Sequence, residues 1–187
     1  MNKYYIISVL VVFLVSSCKK KANDYGVIKS RLEKVLIEDQ KYRNPIYDPI
    51  KQNPIDAKNL TIVTHIIDSL GWLGKDKIGN DANLALFAVI QHANTLAVME
   101  KYLPVMKEAA KKGDADKRQL AYLIDRVELA NNRKQIYGTQ YAVDEKGKVY
   151  FNDLLDSANV NSRRKSMNLY PIEDYIRKID SSAGDRK

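Results

Sequence analysis

The sequence predicts a mainly α-helical single domain with one β-hairpin appended near residues 136–152. Three observations carry that reading. Apolar residues recur at helical spacing in several separate stretches, among them Ile28, Leu32, Val35 and Leu36, then Leu60, Val63, Ile67 and Leu70, then Leu120, Leu123, Ile124 and Val127. An alternation of period two begins only at Gln135, where Tyr137, Thr139, Tyr141 and Val143 alternate with Ile136, Gly138, Gln140 and Ala142. The length of 187 residues suits one domain with its own core and is short for two.

Taken in order, a first amphipathic helix is expected from about Asp24 to Arg43. Pro45, Pro49 and Pro54 then predict an extended connection, because each lacks a donor and disfavours helix in the residue before it. Asp56 is placed to cap a second helix that Gly71 stops. Trp72 to Gly79 reads as a glycine-containing loop, with Trp72 plugging the core as the favoured role. A central helix is expected from Asn80 or Asp81 toward Met99, and Pro104 marks a break or the first turn of the next segment. Gly113 ends that segment. Asp114 or Asp116 caps the following helix, whose second face carries Tyr122, Asp125, Arg126 and Leu129. In the hairpin, Asp144 to Gly147 supplies the turn and Lys148 to Asn152 the return strand, while Gly138 implies close approach of another group. Asn161 is expected to cap a short helix bearing Arg163 and Arg164. Pro171 opens the last helix, which buries Ile172, Tyr175, Ile176 and Ile179, and residues 181–187 form a frayed tail.

The amino terminus carries a different signal. Asn2 and Lys3 are followed by an almost wholly apolar run from Tyr4 to Val15, too short to span a bilayer as a stable helix. Val15-Ser16-Ser17 then precedes Cys18, the single cysteine of the chain. This resembles the lipobox of bacterial lipoproteins. The resemblance implies a signal peptide over residues 1–17, cleavage before Cys18, and lipidation that anchors the protein to membrane lipid on an extracytoplasmic face. Residues 18–23 would form the lipidated cysteine and a polar tether, and residues 24–180 the domain. With Cys18 so consumed, neither a disulfide nor thiol chemistry remains.

The formal charge of +8 is dispersed through mixed-sign stretches such as Lys107-Glu108, and no basic helix with interleaved aromatics is present. Nucleic acid is therefore not the expected partner. His65 and His92 are the only histidines, and neither has a second ligand at helical spacing, so no metal site is predicted. Phosphate-binding and dinucleotide glycine patterns are absent, and no cofactor is expected.

A polar cluster embedded in apolar pattern marks the candidate site. At about 100° per residue, Leu84, Phe87, Ala88, Gln91 and Thr95 share one helical stripe, so Gln91 falls where the core asks for a hydrocarbon. His92 lies beside it. In one reading His92 is a general acid or base oriented by Asp125, while Arg126 or Arg163 holds an anionic group. Gln91, Gln135, Tyr137, Thr139 and Gln140 then fix the orientation of a small anionic or polyhydroxy ligand. In the other reading the chain is a non-enzymatic surface interaction protein, and the same polar groups only stabilise the fold. There His92 is a core histidine, Asp125 and Arg126 pair with structural neighbours, and the glutamines lie on the wet face of a hairpin.

With Gln91-His92-Ala93, Leu123-Ile124-Asp125-Arg126 and Gln135-x-Tyr137-Gly138-Thr139-Gln140 in this order, the chain resembles a bacterial family of a domain of unknown function. The likeness extends to Asp39-Gln40 with Arg43, Trp72, Gly79, Arg163-Arg164 and Leu169. It implies that these positions act together, and it implies no reaction. Asn94 stands where such families usually carry an aspartate, which takes any carboxylate role away from that position.

Overall fold

The computed structural model describes residues 24–184, with side chains over 25–180. The expected signal peptide, Cys18 and the tether lie outside the described residues. Seven helices and one small antiparallel sheet make up the described chain: α1 (Asp24–Gln40), α2 (Pro49–Leu70), α3 (Lys75–Gln91), α4 (Leu96–Lys112), α5 (Lys117–Ala130), β1 (Ala142–Val143), β2 (Val149–Tyr150), α6 (Val160–Ser166) and α7 (Ile172–Gly184). A 3-10 turn, Ser157–Asn159, leads into α6.

Helix α3 is the centre. Ala82, Ala85, Leu86, Phe87, Ala88, Val89 and Ile90 are all buried, and a helix apolar on every side must be enclosed by others. Helices α1, α2, α4 and α5 pack around it. Trp72 is buried in the same core, in the role of plug. Gly79, at φ +79°, makes a kink inside α3. Gly113 ends α4 in the left-handed region and Asp116 caps α5 by accepting from the Arg118 N–H.

Four expectations are revised. Helix α2 begins at Pro49, not after Pro54, because Asp48 caps it by accepting from the Lys51 N–H and Pro49 sits in the first turn, where no donor is required. Asp56, expected to be that cap, is instead buried within the helix. The central helix ends at His92, and a new one starts after Thr95 with Pro104 inside it. Asn161 does not cap α6; its side-chain oxygen accepts from the Ile172 N–H and so ties α6 to α7.

The hairpin is shorter than its alternation predicts. Ala142 pairs with Tyr150 and Val143 with Val149, and the Asp144 carboxylate accepts from Lys146 N–H and Lys148 N–H in the turn. Residues 136–141 are not strand, because side chains take their backbone groups first. Asp125, fully buried, accepts from the N–H of Ile136 (2.7 Å), Tyr137 (3.0 Å) and Thr139 (2.9 Å) and from the Thr139 hydroxyl (2.9 Å). Arg164, 1% exposed, donates to the carbonyls of Tyr137 (2.7 Å), Gly138 (2.9 Å) and Tyr170 (2.6 Å). Arg163 donates to the Ile136 carbonyl at 2.7 Å and to those of Leu155 and Asp156. Gln135 closes the loop by donating to the Gln140 and Asn152 carbonyls and accepting from the Gln140 N–H. Gly138 has φ +63°, and a Cβ there would meet the Ile172 side chain at 3.0 Å, so only glycine fits. Burial pushes the Asp125 carboxyl above the ordinary range, and the loop N–H groups and the Thr139 hydroxyl pull it only part of the way back.

Asp125→Ala removes the acceptor from several buried N–H groups at once. Each unpaired group costs roughly 1 to 3 kcal/mol, so we expect an unfolding free energy lowered by about 3 kcal/mol or more in urea melts. Amide exchange at Ile136, Tyr137 and Thr139 should accelerate with it. A loss below about 1 kcal/mol would show that the loop holds without the carboxylate.

Candidate functional site

Helix α1 buries Leu32 and Val35, and the same stripe reaches Asp39 one turn on. A carboxylate thus occupies a core position at 1% exposure. Its partner comes from the end of α3. His92 Nδ1 lies 3.0 Å from both Asp39 oxygens, which assigns the Nδ1 proton to this contact and leaves Nε2 as the acceptor in the neutral ring. Gln91 Nε2 stands 3.5 Å from His92 Nε2. Gln40 donates to Asp39 Oδ2 at 2.6 Å, and Arg43 Nη2 reaches Asp39 Oδ1 at 3.4 Å. Burial works to raise the Asp39 pKa, but the hydrogen bond and charge of His92, with Arg43 and Gln40, outweigh it and hold the carboxyl below the ordinary range.

Helix α2 completes this centre because its buried stripe is polar before it is apolar: Gln52, Asp56 and Asn59 precede Val63, Ile66 and Ile67. Asp56 accepts from Arg43 Nη2 at 2.7 Å and from Gln52 Nε2 at 2.7 Å. Gln52 also donates to the Glu38 carbonyl and accepts from the Tyr42 N–H, which fixes the chain leaving α1. Asn59 donates to the Val35 carbonyl at 3.4 Å. Arg43 is therefore gripped by two carboxylates, Asp39 and Asp56.

Arg126 is half-buried, its Nε–H is buried with no hydrogen-bond partner, and among the described residues no ion pair forms with it. The Arg43 Nε–H is also buried without a partner. Burial pushes the Arg126 guanidinium pKa down, and the like charge of Arg43 pushes it further. Two neighbouring guanidiniums with unused donors are an arrangement that an anion would complete.

The structure therefore divides the residues that the sequence grouped together. His92, Gln91 and Arg126 belong to the region around Asp39. Asp125 does not orient His92, because its oxygens are filled by the loop. Gln135, Tyr137, Thr139 and Gln140 form that loop, and the donors of Arg163 are used on its carbonyls, so Arg163 is not the anion holder. Gln52 and Asp56 were absent from the predicted site, and Asp39 and Arg43 entered only through the family likeness, which set them beside Gln91 and His92 without a role. Asp39 was visible as a carboxylate continuing the α1 stripe, and Gln52, Asp56 and Asn59 share one helical spacing once α2 is known to begin at Pro49. Among the described residues, no group of three or more His, Cys, Asp or Glu side chains is arranged to hold a metal ion. None of the described helices is long and apolar enough to cross a membrane.

A cleft of about 600 Å³ opens beside the centre, between α3, α5 and α7. Gln91 and Phe87 form its α3 wall, and Gln119 and Tyr122 its α5 wall. Arg126 follows Gln119 and Tyr122 on the same α5 stripe. His92, Asp125 and Gln140 are not in its lining; Gln91 is the residue shared by cleft and centre.

Fold and site together define a small helical domain with a histidine–carboxylate pair beside two under-satisfied arginines. The chain belongs to a family of unknown function (DUF6624), which matches residues 31–186. No curated protein matches the chain, and no solved structure does.

The lowered Asp39 pKa makes a pH prediction. Because the folded carboxyl releases its proton more readily than the unfolded one, its stabilisation is complete above the unfolded pKa of about 4 and is lost as pH falls through the lower folded value. Wild type should melt above Asp39→Asn at about pH 5, and the gap should close toward about pH 2. A gap independent of pH across this range would remove the ionised Asp39 from the account.

Proposed function

We propose that this protein is a lipid-anchored lipoprotein of the bacterial envelope whose helical domain binds a small anionic ligand at Arg43 and Arg126, beside His92. The observation that carries the reading is the pair of buried guanidinium Nε–H groups with no acceptor, one of them on an arginine without any ion pair. Buried donors in folded proteins are nearly always paired, so a missing acceptor points to a ligand. A carboxylate or phosphate meets both guanidiniums in the planar geometry they favour. His92, with Nδ1 engaged by Asp39, offers Nε2 toward Gln91 and is equipped to take a proton from a bound ligand. The histidine–carboxylate contact alone makes the site a binder with a poised base.

The reading of the polar groups as folding devices has one specific support, the Asp125 loop. There, among the described residues, no buried side-chain polar atom lacks a partner, and the proposal assigns no ligand to it. Support for anchoring comes from Val15-Ser16-Ser17-Cys18 after an apolar run, a sequence that supplies one thiol at the position lipidation needs. Several acyl chains on one residue anchor stably where a single chain is marginal.

Phosphate or sulfate at matched ionic strength should raise the melting temperature of wild type by a few degrees, about the effect of a ligand well above its Kd. Arg126→Met should fold normally, since it removes an unpaired buried donor, and should lose that response. His92→Ala should cost less than about 2 kcal/mol, because Asp39 keeps Gln40 and Arg43. A wild type indifferent to phosphate, sulfate and small carboxylates, or an Arg126→Met protein that still responds, would end the anion reading.

Cys18→Ser should leave a precursor of unshifted mobility that no longer partitions into detergent as a lipoprotein when produced in a bacterial host. Identical lipid-dependent mobility in wild type and variant would defeat the anchor.

A further inference from the structure

We infer that the cleft between α3, α5 and α7 is a saccharide-binding site, suited to a hydroxylated six-membered ring. The inference shares Gln91 with the anion site and otherwise stands apart from it.

Its walls are aromatic, and they are held rigidly. Tyr122 donates its hydroxyl to Tyr175 at 3.2 Å, and Tyr175 donates to the Thr139 carbonyl at 3.1 Å, so both hydroxyls are spent inside the protein; the rings of Tyr122 and Tyr141 are the surfaces open to an occupant, with Tyr175 as the support behind them. Tyr175 is further fixed by Arg164 at 5.0 Å from its centroid, by Phe151 stacked at 6.2 Å, and by Tyr141 edge-on at 6.2 Å. Tyr141 itself is 42% exposed, a large ring left open at the rim. Gln119 belongs to the α5 wall beside Tyr122, and its side-chain oxygen is buried and accepts from nothing among the described residues. Gln91 supplies a second amide on the facing helix.

The occupant must offer two things at once. It needs a flat hydrocarbon face to lie against fixed aromatic rings, and it needs a donor for the Gln119 oxygen. An acyl chain has neither a flat face nor a donor. A simple aromatic ring satisfies the tyrosines and leaves Gln119 dry and unpaired, which disfavours its entry. A pyranose carries axial C–H groups on its face and hydroxyl donors around its edge, so one molecule meets both demands. Amide side chains such as Gln91 and Gln119 match hydroxyls because each presents a donor and an acceptor.

Titration calorimetry on the full-length chain in lipid nanodiscs tests this with three probes: cellotriose as a neutral saccharide, trigalacturonate as an acidic one, and triglutamate as an acidic peptide. We expect at least one saccharide to bind. Tyr141→Ala and Gln119→Leu should each weaken that binding by about tenfold or more, the effect of roughly one good contact. Gln119→Leu should melt no lower than wild type, because it deletes an unpaired acceptor and fills the same space. Saccharide binding without any phosphate response would leave the cleft standing and remove the anion site. Phosphate response without saccharide binding would overturn the cleft alone. Binding of triglutamate in preference to both saccharides, or saccharide binding unchanged in either variant, would also overturn it.

Discussion

The carboxylate of Asp125 organises the carboxyl-terminal third of this protein. Fully buried, it draws in the N–H groups of Ile136, Tyr137 and Thr139, while Arg163 and Arg164 draw the carbonyls of Ile136, Tyr137 and Gly138 the other way. The backbone of the loop is thereby saturated by side chains rather than by a neighbouring strand. This matters because β1 and β2 are two residues each, far too short to hold themselves together in water. The loop is what fastens the hairpin, and with it α6 and α7, onto α5. An ion buried at such a point is expensive to dehydrate, and several N–H donors converging on it offset that cost.

A second buried polar layer lies on the other side of α3, between α1 and the first half of α2, and its chemistry differs in one respect. Around Asp125 and Arg164, among the described residues, no buried side-chain donor or acceptor is left without a partner. Around Asp39, His92 and Asp56 most groups are also paired, yet two guanidiniums retain N–H groups with nothing to receive them. Each open donor weakens the folded state unless water or a ligand receives it. Satisfaction therefore separates the two layers better than burial does, because Asp39 and Asp125 are almost equally buried. Gln91 sits where the open layer meets the cleft, at the point where α3 ends, with His92 beside it turned to Asp39.

Helix existence, most helix stops, the hairpin turn and the burial of Trp72 were legible in the sequence because they depend on neighbours within a few residues. Apolar spacing, a capping aspartate at Asp116 and a glycine at Gly113 are local physics. The start of α2 was misread because Pro49 and Pro54 were weighed as helix breakers without the Asp48 cap that makes the first turn tolerate proline. The strand over residues 136–141 was misread for the opposite reason. Its alternation was real, but a distant carboxylate claimed the N–H groups that a ladder would have used.

By itself the sequence determined that the described chain would be a helical domain with a small hairpin, and that polar residues embedded in apolar stripes would gather inside it. What it left open was which of those residues would meet. Asp125 and His92 were natural partners by chemistry, yet His92 found Asp39, 53 residues earlier in the chain, and Asp125 found backbone. A pattern of spacing fixes the face of a helix on which a side chain lies, because the helical period is local. It does not fix which helix packs against that face. Packing alone set Asp39 against His92, and packing alone brought Arg126 beside Arg43.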